Sequence, residues 1–496
     1  MRRLLFPAAA IAGGLALSQV LFTILVYLSN IDLLAESEAL RAAGYLVVPN
    51  ETLTREFDRI APAACGALFF TLTAGAGLTL TAFYAAWLKT RVFPKSRIYI
   101  AAVASAWLAG AAACNLNGWN PGFTIVFLAV PAPVFAFAVR RMPEKRPGDV
   151  YVHAVHVIVV AAATLGWMPC LQQDAFLDIR DRVLLSNPAG QKVNEFYYNY
   201  TLYAAELIKP PGGRLINACI IENKTPGTGS ENAAQKLIEF DWLPVSDGDA
   251  ARLTVKSGSS GIEFASRGRV VLKTGADDFF SNPRKTLDKF SQQADDKKFV
   301  RRFTLAGLIV GFPLALYIFL HAGLCSVLRP VRSTPLRSAA ASGCCLALAA
   351  AFLIPFYGPG INGSDKESIE MLIDSESLYD QRNALKAAAK KGHDPLAFDI
   401  ARELSDSTSV PVRYWLARAL ANSRRPEAGK MLLSMTKDPS PNVSCMAYAG
   451  LGSTGNAQTR KFILERFRNI DHWYVQRYAY KALRKLGWKQ RPLDTD

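Results

Sequence analysis

Three of the five histidines, His153, His156 and His321, stand in stretches that hold no Asp, Glu, Lys or Arg. His153 and His156 are three residues apart and would share one face of a helix. Cys325 follows His321 by four residues, about one helical turn. Imidazole nitrogens and a thiolate can bind a transition metal or haem iron, and an imidazole can also relay protons. Polar groups at membrane depth are costly and are often functional. The plainer alternative is that each imidazole hydrogen-bonds a neighbouring helix or a backbone carbonyl.

Other catalytic signatures are absent. The chain has no Gly-x-x-x-x-Gly-Lys phosphate loop, no His-Glu-x-x-His helix, no Cys-x-x-Cys pair and no dinucleotide glycine pattern. Carboxylates such as Asp174, Asp178, Asp181 and Glu195 show no spacing that selects a general acid and base. Gly307 and Gly311, four residues apart in an apolar run, suit a close helix contact.

The elements that would position these side chains follow from the composition. The 496 residues are 50% hydrophobic and 20% charged, which excludes a disordered or disulfide-stapled chain. The apolar residues gather in seven uncharged blocks at 4–28, 61–88, 98–116, 123–139, 150–171, 303–328 and 338–357. Each is near or above the ~20 residues that cross a bilayer as a helix. A polytopic α-helical membrane protein of about seven transmembrane helices is expected, with 4–28 a retained anchor rather than a signal peptide. Pro131 and Pro133 predict a kink in the fourth helix.

Lysine and arginine set the expected orientation. They cluster at Arg2 and Arg3, at 89–97, at 140–150 (Arg146 included) and at 329–337, which are alternate connections. The intervening segments 29–60 and 117–122 carry three Arg against six acids and no charge at all. The expectation is a cell (cytoplasmic or inner) membrane protein with its N-terminus in the cytoplasm and residues 172–302 and 358–496 outside. On this scheme Cys114, Cys170, Cys219 and Cys445 could form a disulfide. Most of the net +16 then reflects topology, and no nucleic-acid partner is expected.

Four domains are read from this pattern. Helices one to five occupy 1–171, an extracytoplasmic α+β domain 172–302, helices six and seven 303–357, and a repeat region 358–496. Within the second, strands are expected at 215–221, 236–243, 252–256, 261–265 and 269–273. Its aromatic run Phe196, Tyr197, Tyr198, Tyr200 and Tyr203 is either a binding surface or packing.

The last region repeats. Gln381-Arg382, Val412-Arg413, Val443-Ser444 and Val475-Gln476 begin units 31, 31 and 32 residues apart, with Leu385, Leu416, Ala447 and Ala479 four positions on. Such a period denotes stacked helical units that bury their apolar faces against one another. These residues resemble the short HEAT-like repeats of the phycobilisome-lyase type, most clearly at 406–422 and 471–487. The resemblance implies an α-solenoid that binds proteins, and it does not imply lyase activity. From 410 to 491 there are 16 Lys and Arg against 4 acids. Arg413, Arg418, Arg424, Arg425, Arg466 and Arg468 are therefore candidates for a basic surface that binds an acidic or membrane-associated protein. The function expected is a non-enzymatic membrane scaffold without cofactor. A transporter or lipid-handling subunit is the alternative, and a membrane enzyme a third.

Overall fold

The computed structural model describes residues 2–144, 149–168, 175–223, 228–248, 250–258, 261–353, 356 and 366–491. Arg146, Pro169, Cys170, Asp174 and Tyr357 lie outside them. The chain is mostly helical. In order run α1 (Arg2–Ala42), α2 (Ile60–Arg91), α3 (Arg97–Ala113), α4 (Pro121–Arg141) and α5 (Asp149–Trp167). Next come α6 (Pro188–Phe196), β1 (Asn217–Asn223), α7 (Thr228–Glu239), β2 (Trp242–Pro244), β3 (Leu253–Gly258), β4 (Gly261–Ser266), β5 (Arg269–Thr274) and α8 (Pro283–Gln293). The apolar α9 (Lys298–Val327) and α10 (Thr334–Leu353) follow. The repeats comprise α11 (Lys366–Ile373), α12 (Leu378–Lys391), α13 (Val410–Leu420), α14 (Pro426–Met435), α15 (Pro441–Thr454), α16 (Ala457–Phe467) and α17 (Trp473–Lys485).

Five helices, α1, α2, α4, α9 and α10, are long and apolar enough to cross a membrane, while α3 and α5 are apolar but shorter. Helix α4 is interrupted at Val130, just before Pro131, where the proline removes an amide donor. Helix α1 has 41 residues and is about 60 Å long, twice the thickness of a bilayer core. Its apolar part is followed by a charged stretch that stays helical to Ala42, because Leu33 and Leu40 keep a buried stripe.

Small residues set the closest helix approaches. The Gln19 amide donates to Ala64 O at 2.8 Å and accepts from Thr71 Oγ1 at 2.8 Å, joining α1 to α2. Where α2 meets α9, a π-helical turn Thr71–Gly75 lies against another, Gly307–Gly311. A Cβ on Gly307 would sit 2.3 Å from Thr73 O, and one on Gly311 would sit 3.2 Å from Gly77 N. The pair of glycines thus forms the close contact that its spacing suggests.

The connections divide between the two ends of this bundle. At one end Phe6 packs on Phe83 and Phe137, and Arg91 Nη2 donates to Pro143 O at 2.6 Å. Two of the basic connections meet here, through Arg91 and Pro143. At the other end the amides of Asn117 and Asn120 donate to Asp295 O and Asp296 O, at 3.0 and 2.9 Å. There Tyr203 Oη donates to Pro62 O at 3.1 Å, and Glu36 of α1 reaches β1.

The sheet order is β2-β1-β3-β4-β5, with β1 parallel to β2 and β3 and the last two pairs antiparallel. Helix α7 makes the crossover from β1 to β2. Val255, Phe264, Phe279 and Phe290 are buried in its core with Leu237 of α7. The strand expected at 236–243 is a correction. Ala233 and Leu237, one turn apart, fix the end of a helix, Asp241 turns the chain at φ 61°, and only Trp242–Pro244 is extended.

Helices α12, α13, α15 and α17 stack in one row, with α14 and α16 outside it. Leu385, Leu416, Ala447 and Ala479 are fully buried between units. Each unit also closes with a side-chain hydrogen bond to the carbonyl six residues back. Gln381 reaches Ser375 O, Arg413 reaches Ser407 O, Ser444 reaches Asp438 O and Gln476 reaches Ile470 O, at 2.8, 2.5, 3.0 and 2.6 Å. Gln381, not Arg382, is therefore the counterpart of Arg413, which shifts the first unit's register by one residue.

Candidate functional site

The histidines of the apolar helices do not assemble as one set. His153 accepts from Trp87 Nε1 of α2 at 3.2 Å, whereas His156 hydrogen-bonds Tyr317 Oη of α9 at 2.6 Å. His156 also stands edge-on to His321, with ring centroids 4.6 Å apart. His321 Nε2 bonds Ser338 Oγ of α10 at 3.2 Å, Tyr317 Oη bonds Ser342 Oγ at 3.2 Å, and Cys325 Sγ lies 3.6 Å from His321 Nε2. Among the described residues no three His, Cys, Asp or Glu side chains form a group that could hold a metal ion. Of the four residues His153, His156, His321 and Cys325, the first bonds elsewhere, and the last three belong to a hydrogen-bonded cluster joining α5, α9 and α10. Its polar groups satisfy one another, as apolar surroundings require. Tyr317, Ser338 and Ser342 were missed in the sequence. Their signal was the four-residue spacing of Tyr317 with His321 and of Ser338 with Ser342.

Cys114, Cys219 and Cys445 are buried free thiols, so no disulfide joins them. Burial pushes the Cys219 and Cys445 thiols up, which keeps them protonated and unreactive.

The basic residues of the repeats divide into fixed and free. Arg413 clamps Asp438 through two hydrogen bonds of 2.7 and 3.1 Å, and its side chain is only 12% exposed. Arg425 pairs with Asp394 at 3.1 Å and donates to Leu396 O at 2.8 Å. Arg418 lies over the Trp415 ring and Arg466 over Phe462, at 5.0 and 5.5 Å. Of the six candidates, Arg413 ties one repeat to the next through Asp438. Arg424 and Arg468 are exposed.

Much of the remaining positive charge faces the chain itself. Trp415 Nε1 of α13 donates to Asp181 Oδ2 at 2.7 Å, and Arg180 donates to Asp181 Oδ1 through Nε and Nη2. Lys386 of α12 pairs with Asp178 at 2.7 Å. Asn442 of α15 exchanges hydrogen bonds with Asn194 and Tyr198. On α17, Trp473 stacks flat on Tyr203, Tyr474 meets Tyr198 edge-on, and Tyr480 Oη donates to Asp241. Arg484 pairs with Asp241 at 3.2 Å and Lys489 with Glu239 at 3.6 Å. Burial raises the Asp241 carboxyl, and the Tyr480 and Arg484 hydrogen bonds oppose this. The aromatic run is therefore mainly packing between α2 and the repeats, with Phe196 and Tyr197 still partly exposed.

The loop after α1 completes the clasp. Asn50 N donates to Gln476 Oε1 at 3.0 Å, and Gln490 Nε2 donates to Leu46 O at 2.7 Å. Below it Glu36, 3% exposed, accepts from Ala218 N and pairs with Arg252 and Arg214. Every helix of the stacked row thus touches residues from the first half of the chain.

The family of HEAT repeats matches residues 398–484. No curated protein and no solved structure matches the chain. The repeat reading of the C-terminal part stands, and HEAT repeats generally mediate protein–protein interaction.

Proposed function

We propose that this chain is a membrane-anchored scaffold. Its seven apolar helices cross a cytoplasmic or inner membrane, with the N-terminus in the cytoplasm and the sheet and repeats outside. There the repeats bind another protein of acidic surface. The observation that carries this reading is the division of the solenoid. Its stacked row is fastened to the chain's own membrane-proximal residues, while α14 and α16 sit outside that row. Arg424, Lys430, Lys437 and Arg468 on or beside these helices are exposed, and among the described residues none pairs with a carboxylate. A basic face held rigidly at a fixed height suits recruitment of an acidic partner. The meeting of two basic connections at the bundle end opposite the soluble parts supports the orientation.

Deleting the repeats would uncover Tyr203, Leu40 and Asp181, so surface substitutions are the cleaner test. The full-length chain and an Arg424→Glu/Lys430→Glu/Arg468→Glu variant are crosslinked in intact membranes at equal expression. A partner captured by the parent is expected to fall by about tenfold or more with the variant, as the loss of several complementary charges implies. An unchanged set of captured proteins would refute the scaffold surface.

A further inference from the structure

Arg182 lies where the membrane-side helices, the residues after α5 and the repeats converge. Its Nε and Nη1 atoms are buried and make no hydrogen bond. The guanidinium carbon lies 5.4 Å from the Phe356 ring and 5.5 Å from the Tyr379 ring. A second guanidinium, that of Arg382, lies 5.1 Å from the same Tyr379 ring. Its hydrogen bonds go to the neutral Asn383 side chain, through Nε and Nη2. The two nearby carboxylates are occupied, Asp181 by Arg180 and Trp415, and Asp178 by Lys386. Arg182 is half-buried and Arg382 is buried, at 4% exposure. Arg382 is drawn only by the carboxylates of Asp181 and Asp178, which already hold other partners. Arg182 forms no ion pair with a carboxylate among the described residues, although a buried unpaired cation is costly.

The surroundings are apolar and exposed. Phe352, at the end of α10, is 41% exposed and meets the Phe356 ring at a tilt, with centroids 5.8 Å apart. Phe176 and Leu378 are 57% and 46% exposed. Two guanidinium groups near the end of an apolar helix, in a region with exposed aromatic and aliphatic side chains, match an anionic head group with its chains attached.

We propose that Arg182 and Arg382 bind the phosphate of an anionic phospholipid beside the Phe356 and Tyr379 rings. The lipid's acyl chains then run along Phe352 and α10. The bound lipid joins α10, the turn Arg180–Leu184 and α12, and so seats the repeats on the bilayer surface. This rests on the membrane reading given above. Forked guanidinium donors suit phosphate oxygens, which an ammonium would meet only as a point charge.

The test uses full-length protein in nanodiscs of phosphatidylcholine with or without phosphatidylglycerol. After transfer to neutral detergent, the lipid retained per chain is measured by native mass spectrometry. Two basic groups near the head group correspond to about a thirty-fold preference for phosphatidylglycerol. Arg182→Gln/Arg382→Gln is expected to lower the preference to near parity. Should that variant fail to fold, Arg182→Lys keeps the charge and is expected to retain less phosphatidylglycerol than the parent. Equal retention by parent and variants would overturn the proposal, as would full competition by millimolar inorganic phosphate, which would mark a free-anion site. Carbonate extraction of the parent separates the two readings. A chain released from membranes by carbonate contradicts the membrane reading, whereas a retained chain without lipid preference contradicts this site alone.

Discussion

Asp181→Ala is expected to loosen the repeats from the rest of the molecule and to lower stability by about 3–5 kcal/mol, the range for removing one member of a buried ion pair. The Asp181 side chain is fully buried, and its two oxygens serve different elements. One accepts both Arg180 donors, and the other accepts the indole N–H of Trp415, itself fully buried in α13. Alanine would leave a guanidinium and an indole N–H without acceptors in the same dry space, and each unmet group adds its own desolvation cost. Asp181→Asn keeps one acceptor for Trp415 and should fall between the two. Urea unfolding of detergent-purified protein, with limited trypsin digestion of the repeats, reads the effect. A midpoint and digestion pattern equal to the parent's would show that the clasp contributes little.

Gly307→Leu should disrupt the apolar bundle, costing about 1–3 kcal/mol or more, since overpacking at a backbone contact cannot be relieved by a rotamer change. The obstacle is Thr73 O, 2.3 Å from the added Cβ, with Thr73 C at 2.6 Å. Both atoms belong to the main chain of α2, so the two helices must separate. Gly323 in the same α9 provides the control, because a Cβ there meets nothing within 4 Å. Gly323→Ala should leave the thermal midpoint unchanged or slightly raised, in keeping with alanine's better helix propensity. Equal behaviour of the two variants would mean that α2 and α9 do not cross as described.

Local periodicity made much of the architecture legible. The recurrence of small and apolar residues every 31 or 32 positions marked the solenoid, and HEAT repeats match at 398–484. The apolar blocks are mostly helical in their described residues. The first one illustrates the limit of composition. Asp32, Glu36, Glu38 and Arg41 made 29–60 read as a connection, yet α1 continues to Ala42 because its buried stripe outlasts its apolar character.

The clasp was not legible, for a different reason. Glu36 meets Arg252 216 residues away, and Tyr480 meets Asp241 239 residues away. No local pattern announces such pairs, nor that Arg477 and Arg484 of α17 have acidic partners in the same chain. The histidine cluster lies between these extremes. His156 and His321 do meet, but Trp87 captures His153, and no spacing within α5 indicates that.

The central claim is that the repeats and the basic connections lie on opposite sides of a membrane. Lys461 on α16 is 80% exposed, and Lys95 lies exposed in the connection between α2 and α3. Each is replaced by cysteine and treated in intact cells with a maleimide that cannot cross membranes. The account expects Lys461→Cys to react at once and Lys95→Cys to react only after the cells are opened. Reaction of Lys95→Cys in intact cells, with Lys461→Cys protected until lysis, would contradict it.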